Sequence, residues 1–162
     1  MIIGSQAMIH GLEMAKQLQN AVSQLAIPCY LSGMARGLLG RSNPLQMRHY
    51  RRQALKEADV VILVGVPMDF RLEYGQGIPR RTTIVSINLS KEDLYLNRWP
   101  TVPILGDPCH FIIKLAREAP ITFVDKWKDW HHRLLQNEEK REAEIKEHAA
   151  QKTELINPVF FC

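Results

Sequence analysis

Val60-Val61-Ile62-Leu63-Val64 is an unbroken apolar run, mostly β-branched, closed by Gly65 and Pro67. A strand with one solvated face alternates apolar and polar residues, and this one does not. Strands buried on both faces read this way and are typical of parallel sheets covered by helices. Open α/β sheets bind ligands outside the carboxyl ends of their strands, so the segment from Gly65 to Phe70 is expected at a functional edge.

Other short strands are expected at Met1 to Ile3, Ile27 to Leu31, Thr82 to Asn88 and Val102 to Asp107. Between them, Leu12, Ala15, Leu18, Val22 and Leu25 recur at three- and four-residue steps and predict an amphipathic helix over 11–25. A second helix is expected over 45–57, a short one after a Ser90 cap, and another from Cys109 to Glu118. Strands alternating with helices through short loops imply an α/β fold. The expected architecture is three-layered and Rossmann-like, a parallel sheet with helices on both faces. The carboxyl edge of that sheet carries Gly4, Ser5, Gln6, the glycine-punctuated loop from Ser32 to Gly40, Gly65, Asn88 and Asp107. That is the layout of a nucleotide site.

Beyond Pro120 the composition changes. Residues 125–151 are strongly charged, with Trp127, Trp130, Leu134 and Ile145 as sparse apolar positions, and predict a mostly solvated helix anchored by its two tryptophans. The expected division is a domain over 1–120 whose first strand begins part-way, a charged helical linker over 121–154, and the entry to a further domain over 155–162.

Several function classes are disfavoured. A net charge of +4 across 162 residues suits an anionic ligand, but the basic residues do not interleave with aromatics as in a single-strand nucleic-acid binder. No apolar run has bilayer length, and the N-terminus lacks the pattern of a signal peptide. Cys29, Cys109 and Cys162 form neither a metal spacing nor a disulfide framework. The histidines show no metal-ligand spacing, and surface or structural roles are expected for them. A free-standing NAD-binding protein is disfavoured because Gly-x-Gly-x-x-Gly does not follow the first strand.

Certain stretches carry a family resemblance: Gly4-Ser5-Gln6-Ala7, Ile27 to Gly40 with its Gly33-Met34-Ala35-Arg36-Gly37-Leu38-Leu39-Gly40, Ala58 to Gly65, Asp69-Phe70-Arg71-Leu72 with Tyr74-Gly75, and Leu105-Gly106-Asp107. Together they resemble the central domain of thiamine-diphosphate-dependent enzymes, in the branch of acetolactate synthase-like 2-hydroxyacyl-CoA lyases. The resemblance covers nearly the whole chain. It implies a three-domain parent, a homo-oligomer associated with the endoplasmic reticulum membrane or otherwise cytoplasmic. In the parent another domain supplies the glutamate that activates thiamine diphosphate. A third supplies the Gly-Asp-Gly…Asn motif for magnesium and the diphosphate. This chain has neither; Gly106-Asp107-Pro108 fits the central-domain pattern instead. Catalytic and metal-binding residues are therefore expected outside it. The expected partners are the catalytic domains or the parent's subunits.

In relatives the central domain holds FAD or an adenine nucleotide. The corresponding candidates here for a nucleotide or CoA are Gly4, Ser5, Gln6, Gly33, Arg36, Gly37, Gly65, Asn88 and Asp107. Three departures argue against tight flavin binding. Gly65-Val66-Pro67 stands where many relatives have Gly-Ala-Arg, Met47 to Arg52 replaces a glycine-rich stretch, and Asn88 replaces an acidic residue suited to a ribose hydroxyl.

Taken alone, the residues leave alternatives open. Gly33, Gly37 and Gly40 let a backbone approach a diphosphate, or serve a tight loop. Arg36 pairs with a phosphate, or is a surface arginine. Arg48, Arg51 and Arg52 attract the phosphates of an acyl-CoA, or form a solvated helix face. Asp69 and Arg71 form a loop-fixing pair. Asp107 is a helix cap before it is a ligand, and Cys109 lacks an identifiable base.

Overall fold

The structure is a computed structural model describing residues 1–119, 125–151, 157 and 159. Pro120 and most of the stretch expected to open a further domain (155, 156, 158 and 160–162) lie outside the described residues. Six strands, β1 (Ile2–Ile3), β2 (Cys29–Leu31), β3 (Gln46–Met47), β4 (Val60–Val64), β5 (Thr83–Asn88) and β6 (Val102–Leu105), form one sheet in the order β3-β2-β1-β4-β5-β6. Every pairing is parallel. This is the doubly wound order, whose chain reverses direction of travel between β1 and β4.

Helix α1 (Gly11–Leu25) follows the predicted bounds. Helix α2 (Arg51–Glu57) precedes β4, α3 (Lys91–Leu94) follows β5, α4 (Pro108–Glu118) follows β6, and α5 (Lys128–Ala150) is the charged helix. Ser90 caps α3 by accepting from Asp93 N–H, and Asp107 caps α4 by accepting from His110 N–H.

Alternate side chains of the strands feed two cores. Ile3, Val64 and Ile87 pack with Leu18 and Val22 of α1 and Ile112 of α4 on one face. Ile2, Leu63 and Ile84 pack with Leu55 of α2 and Leu134 of α5 on the other. Burial on both faces explains the uninterrupted apolar run of β4.

Two expectations are corrected. The helix over 45–57 is a short edge strand followed by a shorter helix. Gln46 and Met47 pair with Cys29 and Tyr30 of β2, and Tyr50 adopts a left-handed φ of 52° that prevents α2 from extending backward. Leu12 is 74% exposed, because the first turn of α1 overhangs the core. The charged helix is held by more than its tryptophans. Trp130 does pack on the second core, but Leu134 and Glu138 are the residues of α5 that become buried.

Candidate functional site

In a doubly wound sheet, ligands sit in the crevice outside the strands' carboxyl ends at the switch between β1 and β4. Here Gly4 and Gly65 occupy that point, where the chain segments after β1 and β4 pack too closely to admit a side chain at either position. A Cβ on Gly4 would stand 2.5 Å from the Gly65 carbonyl oxygen, and one on Gly65 would stand 2.7 Å from Gln6 Cβ. Gly65 also has φ +66°, a conformation disfavoured for side-chain-bearing residues. The fold brings Gly4, Ser5, Gln6, Gly33 and Gly65 together at the carboxyl edge, and the side chains of Ser5 and Gln6 are hydrogen-bonded to neighbouring parts of the domain. Ser5 Oγ accepts from Met34 N–H at 3.1 Å and lies against Gly33. The Gln6 side chain donates to Asp93 at 2.9 Å and accepts from Leu89 N–H at 2.9 Å. Asn88 is fully buried at the end of β5; its amide donates to Ser86 Oγ at 2.9 Å, while its Oδ1 has no hydrogen-bond partner among the described residues.

The open site lies to one side, over β2 and β3. A cavity of about 570 Å³ is enclosed by the loop after β2, the start of α2 and the loop after β4. That volume is typical of pockets that take a small molecule or cofactor. Arg36, Arg48, Arg51, Arg52 and Arg71 converge on it, with Glu73 as its lining carboxylate. Gly37 lines it as well, so of the candidates expected from the sequence Arg36 and Gly37 reach it. Arg52 pairs with Glu73 at 3.1 Å, and Arg71 with Asp69, whose carboxylate accepts from Arg71 Nε at 3.0 Å. Among the described residues neither Arg36 nor Arg51 has a carboxylate within ion-pair reach; Arg51 donates to the Arg71 carbonyl at 2.7 Å. The pocket therefore keeps uncompensated positive charge in a fork geometry suited to phosphate oxygens.

Two features steady this pocket. Asp69 both accepts from Arg71 N–H at 2.9 Å and grips its guanidinium, fixing the loop after β4. The Arg71 hydrogen bond holds the Asp69 carboxyl below the usual range, against the opposing effect of burial. From the far side, Glu138 of α5 reaches the β3–α2 corner, where its Oε1 accepts from Arg48 N–H at 2.9 Å and His49 N–H at 2.6 Å. Glu142 accompanies it, 3.1 Å from His49 Nε2 and 3.5 Å from Arg48. The four-residue spacing of Glu138 and Glu142 reads as repulsive in isolation; a shared basic partner reverses that. Tyr30 Oη donates to the His49 carbonyl at 2.9 Å, and burial pushes its phenol pKa up. Glu138 is not legible as a site residue because its partners, Arg48 and His49, lie 90 and 89 positions away; Arg71 reads only as the near partner of Asp69, and Glu73 pairs with Arg52 of another element.

Cys109 is buried at the start of α4, and desolvation, then the Asp107 charge, push its thiol up to about 11. Burial here outweighs any lowering by the helix N-terminus, and the thiol is not a nucleophile. Among the histidines, the structure brings His10 and His110 against Asp107, a cluster that sequence spacing does not disclose.

Residues 1–115 match the model of the thiamine pyrophosphate enzyme central domain. The chain belongs to the thiamine pyrophosphate enzyme family, through its central domain. Over 98% of its length it is 40% identical to 2-hydroxyacyl-CoA lyase 2 of Bos taurus and 38% identical to that of Homo sapiens. It spans 26% of the length of each. A 58-residue stretch, 36% of the chain and 11% of the relative, is 47% identical to a probable acetolactate synthase of Mycobacterium bovis.

The family's cofactor is thiamine diphosphate. Magnesium with a diphosphate requires free oxygen ligands in near-octahedral array. Around the pocket of this central domain, Asp69, Glu73, Glu138 and Glu142 are committed to arginine, histidine or backbone donors. The described residues do not fit magnesium-bound thiamine diphosphate, and no catalytic step is assigned to them.

Proposed function

We propose that this chain is the central scaffold domain of a thiamine-diphosphate- and magnesium-dependent carbon–carbon lyase acting on 2-hydroxyacyl-CoA substrates. In this reading its own contribution is to bind the phosphate-bearing part of an acyl-CoA or adenine nucleotide. The observation that carries the binding proposal is the convergence of five arginines on one cavity of ligand size. The similarity to 2-hydroxyacyl-CoA lyase 2 favours the CoA thioester over a flavin. The carbon–carbon chemistry, with thiamine diphosphate and magnesium, is assigned to the remainder of the protein, since the chain spans only 26% of the relatives' length. Residues 1–120 form the domain in this reading, 121–154 the linker, and 155–162 lead into the cofactor-holding part.

The partner in this proposal is the catalytic part of the parent, or its subunits in an oligomer. Ile9, Met34, Phe70, Leu89 and Leu105 are all exposed large apolar residues that follow or end β1, β2, β4, β5 and β6. Apolar side chains at one sheet edge suit packing against another domain. The same feature favours a second reading, a non-catalytic chain that binds the parent's subunits through this edge. Among the described residues no helix is long and apolar enough to cross a membrane; any tie of the parent to the endoplasmic reticulum is assigned to segments outside them.

Titration calorimetry with CoA, ADP and FAD tests the ligand. CoA or ADP binding that weakens about tenfold in Arg51→Ala, the loss of roughly 1.4 kcal/mol, supports it. FAD binding tighter than CoA, unaffected by Arg51→Ala, overturns it. Co-expression with the full-length relative followed by affinity capture tests the second reading: retention of the chain supports it, and loss when Met34 and Phe70 become Asp places the contact at this edge.

A further inference from the structure

His10, Asp107 and His110 form a group that the proposed ligand pocket does not use. His10 sits at the start of α1, while Asp107 and His110 are the cap and third residue of α4. Their side-chain ligand atoms all lie within 4.8 Å of one another. His110 Nδ1 is 3.2 Å from Asp107 Oδ1, and His10 Nε2 is in direct contact with Asp107 Oδ2. The two imidazoles stand edge to face, with centroids 5.0 Å apart and planes at 80°. Two ring nitrogens and a carboxylate oxygen thus converge on one small volume from two helices that are packed together.

The geometry points to a transition-metal site, formed by His10 Nε2, Asp107 and His110 Nδ1, that takes zinc with at least one coordination position open. Two imidazoles and one carboxylate are a zinc donor set, and three protein ligands with an open position is the pattern of an accessible site. Donor atoms around a tetrahedral zinc stand about 3.3 Å apart, given bonds of about 2.0–2.2 Å. The His110–Asp107 separation already matches. The His10–Asp107 pair must open, and the His10 side chain, 30% exposed, has room to pivot. Magnesium and calcium are excluded as natural occupants, because they take all-oxygen shells.

Asp107 is well placed to serve. Its backbone is fixed at the helix cap, where it accepts from His110 N–H at 2.9 Å. The N-termini of α1 and α4 both lie close by and disfavour a cation, which the carboxylate offsets. A bound zinc would clip residues 97 positions apart in sequence and so join the first and last helices of the α/β unit.

Cobalt(II), a visible reporter of zinc geometry, tests this directly on the full chain. We expect a one-to-one complex with intense visible absorption of a four-coordinate ion, displaced by zinc, and a thermal midpoint that rises on adding zinc. His110→Ala and His10→Ala should each weaken cobalt binding at least tenfold, while His131→Ala leaves it unchanged. The weak spectrum of hexa-aquo cobalt with the folded protein overturns the site. So does equal binding by wild type and His110→Ala.

Discussion

Replacing Glu138 tests whether the charged helix is part of the domain or an appendage to it. Its Oε1 accepts two backbone N–H bonds, from Arg48 at 2.9 Å and His49 at 2.6 Å, and the residue is only 7% exposed. Each hydrogen bond to a charged acceptor contributes about 1.5–3 kcal/mol. Glu138→Ala removes both and strands two donors at the β3–α2 corner, where water enters only in part. The expected loss is ~3 kcal/mol, a large share of a domain's ~5–15 kcal/mol. Glu138→Gln keeps a carbonyl acceptor but loses the charge, so ~1–2 kcal/mol is expected. Urea unfolding followed by circular dichroism gives the free energies, and hydrogen exchange over 128–150 shows whether α5 loosens first. A Glu138→Ala variant within ~0.5 kcal/mol of wild type, the range of ordinary surface substitutions, with unchanged exchange in α5, refutes the reasoning.

Other consequences follow from the same geometry. Gly65→Ala combines a left-handed backbone, ~1–2 kcal/mol for a residue with a Cβ, with an overpacked contact of ~1–3 kcal/mol, so a loss of ~2–4 kcal/mol is expected in the same unfolding assay. Leu134→Ala empties a buried position under α5 and should cost ~2–5 kcal/mol. The Asp69 and Asp107 carboxyls have folded pKa values below their unfolded ones. Their stabilisation is present above the ordinary aspartate range near 3.8 and lost as pH falls through the lower folded values; acid titration of the thermal midpoint should show that decline. Cys29 and Cys109 have the opposite sign. Burial raises both thiols from 9.0 to about 11, so their stabilisation is full below pH 9 and lost as pH rises through the folded value. Peptide mapping after iodoacetamide at pH 8 should find both unmodified in the native protein and alkylated in urea.

The sheet was largely legible in the sequence because its central strand must be apolar on both sides. Val60 to Val64 carries that requirement within five consecutive residues, and α1 shows its buried stripe through Leu18, Val22 and Leu25. The edge strand Gln46–Met47 was hidden. Two residues cannot show an alternation, and the flanking arginines read as one continuous helix. The carboxyl-edge cluster of Gly4, Ser5, Gln6, Gly33 and Gly65 was placed correctly at the edge. That the backbone at Gly65 lies close against Gln6, and that the Ser5 and Gln6 side chains are hydrogen-bonded within the domain, depends on tertiary contacts that no periodicity encodes. Arg48, Arg51 and Arg52 were visible as a basic group. Their convergence with Arg36 and Arg71 was not, because it depends on how the loops after β2 and β4 fold over β3. The His10–Asp107–His110 group is the extreme case, since His10 joins the neighbouring pair Asp107 and His110 only once α1 packs on α4.

The central claim is that the arginine cavity grips phosphate. Titration calorimetry comparing CoA with pantetheine, which carries the same thiol arm without the phosphates, isolates that interaction. The account predicts CoA bound at least tenfold more tightly than pantetheine, a preference that falls with added salt and vanishes in an Arg36→Ala/Arg51→Ala variant. Equal affinity for the two ligands, or a preference for CoA that survives loss of both arginines, would contradict it.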